Sequence, residues 1–365
     1  MAAKSIRNKS ALTEQPGVQR EEAVNHALAR NLSGRRKLPS TAELLEGILR
    51  GDRSLLSRGI TIVESAHPDH QPLASELVSA CLPHSGKSVR IGITGVPGVG
   101  KSTFIEALGT TLTKKGKRVA VLAVDPSSSL SHGSILGDKT RMQELVRDPN
   151  AYIRPSPSGE NLGGVARKTR EAIILCEAAG FDVILIETVG VGQSETAVHS
   201  MADFFLLLKI TGAGDELQGI KRGIMEMADA VVINKADGEN EKRARLAKAE
   251  FNRALHFFPP RENGWQPLAL TCSSLTREGI VPVWETIERF VGETKSNGHF
   301  DANRSEQNRY WMLETINARL TGDFYSNRRI ANLLGKSLDD VGNGKISPFA
   351  AAQKLLESYF QDQSS

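Results

Sequence analysis

The amino-acid sequence of 365 residues predicts an α/β fold in which a mostly parallel central sheet is covered by helices on both faces. Short apolar runs, such as Val183 to Ile186 and Ala230 to Ile233, alternate with longer segments of helical periodicity. Continuous apolar strands of this kind are buried on both faces, as in parallel sheets. In addition, a β-branched run at Val89 to Ile93 passes through a Gly-rich turn into a helical pattern, which is typical of a phosphate-binding corner.

The composition excludes several classes of protein. Hydrophobic residues make up 39% and charged residues 24% of the chain, and no apolar run approaches the length of a membrane span. The net charge is +4, but no aromatic residues interleave with the basic residues of the first 38, so we expect neither a nucleic-acid nor a membrane partner. The scattered Cys81, Cys176 and Cys272 indicate a reducing compartment, which is the cytoplasm, or the mitochondrial matrix in a eukaryote.

Four regions follow one another along the chain. Residues 1–38 mix charge, Gly and Ser without an apolar period and predict a mobile basic extension. Amphipathic segments in residues 39–86 predict a helical subdomain. Residues 87–294 carry the strand and helix pattern of the phosphate-binding domain. Helix-period apolar positions in residues 295–365 predict helices that pack either on this domain or on a second subunit.

The Gly-rich turn has the spacing G-x-x-x-x-G-K-[ST], which is the strongest local signal in the sequence. In this pattern backbone N–H groups surround phosphates, a Lys reaches the terminal phosphates, and a hydroxyl binds Mg²⁺. The following helix, expected at Phe104 to Lys115, adds the positive end of its dipole. The predicted phosphate contacts are Gly95, Val96, Pro97, Gly98, Val99, Gly100, Lys101, Ser102 and Thr103.

Polar side chains follow three of the predicted strands: Asp125, Glu187 and Asn234. Ligands of open parallel sheets bind beyond the carboxyl ends of the strands, so we expect these side chains to meet at one edge. Mg²⁺ prefers oxygen ligands and takes few protein groups. The magnesium candidates are Ser102, Asp125 and Glu187, with Asp138 weaker from its pattern alone. The Gly190 N–H can meet the γ-phosphate, which predicts a loop that differs between the nucleoside triphosphate and diphosphate states.

The segment Asn234-Lys235-Ala236-Asp237 identifies the base. An Asp carboxylate at its end can accept hydrogen bonds from N1–H and the 2-amino group of guanine, whereas adenine would leave it unpaired. The sequence therefore predicts GTP and GDP rather than ATP as ligands. A later segment is placed to close over the base, through Ser273, Ser274 and Leu275.

Together these segments resemble the MeaB/ArgK family of G proteins, the GTPases associated with methylmalonyl-CoA mutase. The resemblance runs from about Glu43 to Phe360. Its narrow motifs are G-D-K-T-R-M, E-T-V-G-V-G-Q-S-E and G-D-E-L-Q-G-I-K, beside the common phosphate-loop and N-K-x-D patterns. In the usual Ser-Ala-Leu segment Ser274 replaces Ala, a change that a backbone contact to guanine tolerates.

The resemblance implies a phosphate-loop GTPase of the SIMIBI type that acts as a chaperone. Its expected partner is an adenosylcobalamin-dependent acyl-CoA mutase, whose cofactor loading it gates and which it protects from inactivation. It implies a homodimer joined by the helices of residues 295–365. It raises Asp138 as a metal ligand and makes Gly212 to Lys221 a third switch. The residues carried over to catalysis are Lys101, Glu187, Asp215 and Lys221.

Two other functions stay open at this point. The first is an ATPase or kinase linked to arginine and ornithine transport, which is an older label for the same family. An ATPase would have no use for Asp237. The second is a metallochaperone GTPase, although the isolated His132, His199 and His256 form no metal-binding cluster in sequence. No residue stands out as a water-positioning Gln or an arginine finger in cis, so we expect slow intrinsic hydrolysis. The sequence does not distinguish a methylmalonyl-CoA mutase from an isobutyryl-type mutase as the partner.

Overall fold

The computed structural model describes residues 38–124, 142–155, 162–188, 194–211, 222–259 and 261–363. The chain divides into two compact units, Met1–Ser40 and Thr41–Ser365. The first unit lies almost entirely outside the described residues, so the mobile extension predicted there stays a prediction. The second unit contains the sheet and all the described helices.

The core of the second unit is a parallel sheet, which in the described part of the chain has seven strands. Their order is β3-β2-β4-β1-β5-β6-β7. The chain leaves the central β1 toward β2 on one side and later continues with β5 on the other, so the carboxyl end of β1 lies at a topological switch point. The strands are β1 Val89–Gly95, β2 Val119–Val124, β3 Ala151–Arg154, β4 Val183–Thr188, β5 Phe204–Lys209, β6 Ala230–Ile233 and β7 Leu268–Thr271.

Helices precede, connect and follow the strands. Before the sheet lie α1 Thr41–Leu49, α2 Arg53–Glu64, α3 His70–Cys81 and a 3-10 turn at Leu82–His84. The connections contain α4 Lys101–Lys114, α5 Gln143–Arg147, α6 Leu162–Ala178, α7 Ser194–His199, α8 Arg222–Met227, a 3-10 turn at Gly238–Asn240 and α9 Glu241–His256. After the sheet come α10 Ile280–Ser296, α11 His299–Ser326, α12 Arg328–Gly342 and α13 Pro348–Gln363.

Both faces of the sheet are covered, because neighbouring residues of each strand point to opposite sides. On one face Ile91 and Ile93 of β1 belong to a core with Phe104 of α4 and Ile287 of α10. On the other face Ile184 and Ile186 of β4 belong to a core with residues of α1–α3 and α6. A third core forms between α9 and the β5–β7 side of the sheet. Because the helices cover the two faces of the sheet, the binding site can form at the carboxyl ends of the strands.

The structure confirms the predicted fold class and sharpens several elements. The sheet is parallel throughout the described residues rather than mostly parallel. The helix after the Gly-rich turn begins at Lys101, three residues before its predicted start. Strands β3, β5 and β7 have no counterpart in the sequence-based prediction. The predicted boundary at residue 294 falls within α10. No helix in the described ranges is long and apolar enough to cross a membrane.

Candidate nucleotide-binding site

The turn at the end of β1 approaches other parts of the chain so closely that two of its positions require glycine. A Cβ on Gly95 would lie 2.6 Å from the carbonyl oxygen of Leu208, and a Cβ on Gly100 would lie 2.9 Å from Nδ2 of Asn234. Gly100 also has a φ of 93°, a left-handed conformation that side chains disfavour. The turn is thus held against β5 and against the loop after β6, with Val96, Pro97 and Gly98 exposed.

The first turn of α4 supplies the positive elements of this corner. Gly100 is the N-cap of this 14-residue helix, and no side chain caps it. The first N–H groups of a helix have no acceptor within the helix and attract anions. The buried Lys101 donates from Nζ to the carbonyl oxygen of Gly95 at 2.7 Å, so its ammonium lies across the loop. Loop, helix end and ammonium together form a site for phosphate groups.

A buried carboxylate lies beside the hydroxyl at the start of α4. Oγ of Ser102 and Oε1 of Glu187 are 3.4 Å apart, and both residues are buried. Next to them, the Thr188 hydroxyl donates to the Thr94 hydroxyl at 3.0 Å and joins the ends of β4 and β1. A hydroxyl beside a carboxylate is an oxygen donor pair of the kind that Mg²⁺ takes in proteins. The predicted ligands Ser102 and Glu187 are therefore neighbours in space.

Several predicted site residues lie outside the described part of the chain: Asp125, Asp138, Gly190, Asp215 and Lys221. Asp125 directly follows β2, which ends beside β4 in the sheet. Within the described ranges no group of three His, Cys, Asp or Glu side chains is arranged to hold a metal ion. The roles assigned to these five residues stay predictions.

Asn234 connects three loops of the site. Its side chain is almost fully buried, and Nδ2 donates to the carbonyl oxygen of Val99 at 2.9 Å. Its Oδ1 accepts from the backbone N–H of Ser274 at 3.1 Å and from the Ser274 hydroxyl at 2.7 Å. The loops that carry the phosphate pattern, the N-K-x-D pattern and Ser274 are thus joined by one amide group.

Lys235 makes a second connection to the phosphate loop. Its Nζ donates to the carbonyl oxygen of Gly98 at 2.9 Å, and its backbone has a φ of 58°, which is uncommon for a residue other than glycine. The carbonyl of Lys235 accepts from Nδ2 of Asn240 at 2.7 Å. Asn240 and its partner Thr211 were not predicted as site residues, because hydrogen bonds to backbone carbonyls leave no sequence motif.

The carboxylate of Asp237 is oriented by the neighbouring loop. The buried Ser273 donates its hydroxyl to Oδ2 of Asp237 and accepts from the N–H of Thr276 at 3.1 Å. Gly279 ends this loop with a φ of 76°, and a Cβ there would lie 2.3 Å from the carbonyl oxygen of Thr271. Leu275 is 81% exposed. The half-buried Asp237 thus faces a loop that carries an exposed apolar side chain, an arrangement that can hold a flat base.

Comparison with known proteins finds GTPases among the relatives of this chain. Residues 56–329 match the family model described as methylmalonyl Co-A mutase-associated GTPase MeaB. A probable GTPase of Mycobacterium tuberculosis is 52% identical over 314 residues, which cover 86% of this chain and 94% of the relative. GTPase ArgK of Escherichia coli is 44% identical over 316 residues, covering 87% and 96%.

A mitochondrial relative and a solved structure extend the comparison. The methylmalonic aciduria type A homolog of Mus musculus is 46% identical over 326 residues, which cover 87% of this chain and 79% of the relative. The crystal structure of a protein described as a LAO/AO transport system kinase superposes with a TM-score of 0.70 at 38% identity. That alignment covers 88% of this chain and 97% of the other. The similarity therefore extends over most of the chain.

Proposed function

The chain belongs to the MeaB family of methylmalonyl-CoA mutase-associated GTPases, and we propose that it serves as the GTP-driven chaperone of an adenosylcobalamin-dependent acyl-CoA mutase. As a GTPase it converts GTP and water to GDP and phosphate. We infer that it gates the loading of the cobalamin cofactor and protects the mutase from inactivation. The observation that carries the proposal is the hydrogen-bonded connection of the base loop to the phosphate loop, found in a chain of this family.

The proposed nucleotide contacts follow from the geometry of the loops. The phosphates lie against the N–H groups of the turn and of α4, with the Lys101 ammonium neutralising charge on the terminal groups. The guanine base lies between Lys235 and Leu275, and Asp237 accepts from its N1–H and 2-amino groups. An adenine in this position would leave the carboxylate unpaired, so GTP is favoured over ATP.

Ser102 and Glu187 are proposed to hold Mg²⁺, together with Asp125 and Asp138, which lie outside the described residues. When bound, the ion supplies positive charge near the β- and γ-phosphates. The chain's own residues position GTP and discriminate against ATP. Positioning is most of what phosphoryl transfer requires of a protein. We propose that Asp215 and Lys221 belong to a third switch through which the mutase changes the hydrolysis rate.

The chaperone role is tested by measuring GTP hydrolysis with and without a purified methylmalonyl-CoA mutase and, in parallel, an isobutyryl-type mutase. We expect slow hydrolysis by the chain alone and acceleration by one of the mutases. Co-purification with that mutase should depend on a non-hydrolysable GTP analogue. Lys101→Ala should abolish both effects, whereas Lys114→Ala on the exposed end of the same helix should not. Equal rates with and without either mutase would contradict the proposal.

An alternative function is suggested by the solved relative that is described as a LAO/AO transport system kinase. An ATP-dependent kinase would not need a carboxylate directed at the 2-amino group of guanine. Competition between ATP and GTP for the site distinguishes the two functions. Equal affinity for both nucleotides would favour the kinase, and a strong preference for GTP would favour the chaperone.

We also propose that the chain forms a homodimer through its last three helices. Large apolar side chains there are exposed, including Leu313 at 55%, Leu320 at 60% and Phe349 at 86%. Exposed apolar patches of this kind mark protein interfaces. Analytical ultracentrifugation should show a dimer that Leu313→Asp disrupts and that the polar control Asn317→Asp leaves intact. A monomer at all concentrations would contradict the proposal.

For the compartment, we propose the cytoplasm, or the mitochondrial matrix in a eukaryotic cell. The three cysteines are free and buried, which suits a reducing environment. The mouse relative is described as mitochondrial. Fractionation of the source cells with an antibody against the chain tests this assignment, which recovery in a secreted or membrane fraction would overturn.

A further inference from the structure

A second polar site lies at the amino ends of the strands, opposite to the end that carries the phosphate loop. Arg90 enters the sheet near the start of β1, whereas the phosphate loop follows its end. A cavity of about 460 Å³ opens beside Arg90, between α6 and α11. We call it the arginine cavity because three guanidinium groups line it, those of Arg90, Arg170 and Arg304.

The carboxylate of Glu177, the first of two near the cavity, already accepts hydrogen bonds at both of its oxygens. Glu177 receives hydrogen bonds from Nε and Nη2 of Arg90 at 2.8 and 2.9 Å. It also receives the Ser88 hydroxyl at 2.6 Å and the Gly86 N–H at 2.8 Å. Since both of its oxygens accept at least two hydrogen bonds, Glu177 neutralises Arg90 and has little capacity left for another cation.

The second carboxylate is used in the same way by a residue of α11. Asp203 receives Nε and Nη2 of Arg304 at 2.7 and 2.6 Å, and the backbone N–H of Arg90 at 2.8 Å. The remaining terminal nitrogen of Arg304 donates to the carbonyl oxygen of Gly86 at 2.5 Å. Arg304 and Asp203 therefore form a complete bidentate pair.

Among the described residues, Arg170 has no carboxylate of its own. Its Nη2 donates to the side-chain oxygen of Asn308 at 2.6 Å, which is a neutral acceptor. Its Nη1 and the Nη1 of Arg90 are buried and have no hydrogen-bond acceptor among the described residues. Arg170 is only 8% exposed and Arg90 only 4%. Burial, and next the charge of Arg90, lower the pKa of Arg170 to about 9.

The cluster thus carries three cations and two anions, all of them largely buried. A buried charge without a partner is costly, and burying two donors without acceptors adds to that cost. The other walls of the cavity are mostly apolar and include Ile174, Trp311 and Ile316. A ligand that fits would place a negative charge on the guanidinium wall and a small apolar body on the opposite wall.

We propose that the arginine cavity is a binding site for a small oxyanion, an organic carboxylate or phosphate, and that the guanidinium group of Arg170 turns its buried Nη1 toward the anion when it binds. Guanidinium groups bind such anions through short charge-assisted hydrogen bonds. The anion completes the charge balance of the cluster. Because Arg304 and Asn308 belong to α11, the ligand also fastens this helix to α6 and β1.

The test is isothermal titration of the full-length chain with two probes, inorganic phosphate and hexanoate. A saturating non-hydrolysable GTP analogue with Mg²⁺ keeps the phosphate loop filled, including the γ-phosphate position, so that phosphate reports on the second site. We expect saturable binding of at least one probe, and the two probes tell a phosphate site from a carboxylate site. Arg170→Gln should weaken that binding about tenfold or more, since it removes charge-assisted hydrogen bonds.

The matched control is Arg167→Gln, which removes the same charge from a more exposed position on the same helix. It should leave the affinity within about twofold of the parent, because the half-exposed Arg167 is screened by solvent and lies near Glu171. Absence of saturable binding of either probe would overturn the proposal. So would an Arg170→Gln variant that binds as tightly as the parent.

A second variant keeps the proposal testable if Arg170→Gln fails to fold. Thr315→Glu on α11 introduces a carboxylate that lines the cavity and can take the place of the anion. We expect a higher melting temperature without ligand and loss of probe binding. A lower melting temperature together with retained binding would count against an anion site.

Discussion

The side-chain amide of Asn234 donates to the backbone carbonyl oxygen of Val99 at 2.9 Å, and this bond joins the base loop to the phosphate loop. The same side chain accepts two hydrogen bonds from Ser274. Because Asn234 is almost fully buried, water does not readily replace these bonds. The two halves of the nucleotide site are thereby held at a fixed distance.

We expect Asn234→Ala to lower the free energy of unfolding by about 1–3 kcal/mol, because buried partners lose their hydrogen bonds. GTP affinity should also fall by at least about tenfold, since the loops are no longer aligned. Urea unfolding and nucleotide titration measure the two effects. As a control, Asn252→Ala removes the side-chain acceptor of the Ala269 N–H in the edge strand β7. It should lower stability and leave GTP affinity unchanged, and a GTP defect in it would count against a specific role for Asn234.

The pair of Asp237 and Ser273 should determine the choice of base. Asp237→Ala should weaken GTP binding by about 10²-fold or more and leave the weak binding of ATP nearly unchanged. Ser273→Ala should cost less, about tenfold, because it only frees the carboxylate to rotate. Competition with a fluorescent GDP derivative measures both. If Asp237→Ala weakened ATP and GTP equally, Asp237 would not be the group that reads guanine.

Gly279 shapes the loop that faces Asp237, and its substitution should be far more costly than that of a similar glycine. Gly279→Ala combines a φ of 76° with a Cβ only 2.3 Å from a backbone oxygen, so the loop must move. We expect a loss of about 2–4 kcal/mol and weaker GTP binding. Gly298→Ala, with a φ of 77° and open space around its Cβ, should cost about 1 kcal/mol. Similar losses in both thermal melts would show that close packing at Gly279 is unimportant.

Asp229 should give the stability a distinctive pH dependence. It is buried, and burial raises its pKa to about 6 although Arg261 and the N–H of Phe205 act in the opposite direction. Because the folded state holds this proton more tightly than the unfolded state, its contribution is present below pH 4 and is lost as pH rises to about 6. In the parent, Asp229 should lower the free energy of unfolding by up to about 3 kcal/mol as pH rises from 4 to 6. Asp229→Asn should abolish this decrease.

Urea unfolding of parent and variant at pH 4, 5, 6 and 7 checks this expectation. The comparison concerns the slopes with pH, because the amide of Asp229→Asn also changes the bonds to Arg261 and Phe205. Parallel pH curves for the two proteins would show that Asp229 does not titrate in this range.

Much of the fold, but not every strand of its sheet, can be predicted from local sequence patterns. Val183 to Ile186 and Ala230 to Ile233 were recognisable as strands because they are apolar runs that end in polar residues. The four-residue β3 and β7 are too short to show a period. Phe204 to Leu208 is an equally clear apolar run that is followed by the polar Lys209, so β5 could have been predicted from the same pattern.

The site shows the same division between side-chain motifs and backbone contacts. Ser102 and Glu187 were expected near each other because both follow motifs at strand ends, and the structure places them together. The hydrogen bonds to the carbonyls of Val99 and Gly98 could not be predicted, because any residue offers such an oxygen. Contacts of this kind depend on how loops from distant parts of the chain meet.

The left-handed backbone of Lys235 has a consequence for the evolution of this loop. Glycine would adopt a φ of 58° without strain, which for a lysine is of the order of 1 kcal/mol or more. Glycine, however, has no ammonium to reach the carbonyl of Gly98. Selection for a more stable protein would therefore favour Lys235→Gly. Selection for tight nucleotide binding would oppose this substitution, because the contact with Gly98 would be lost.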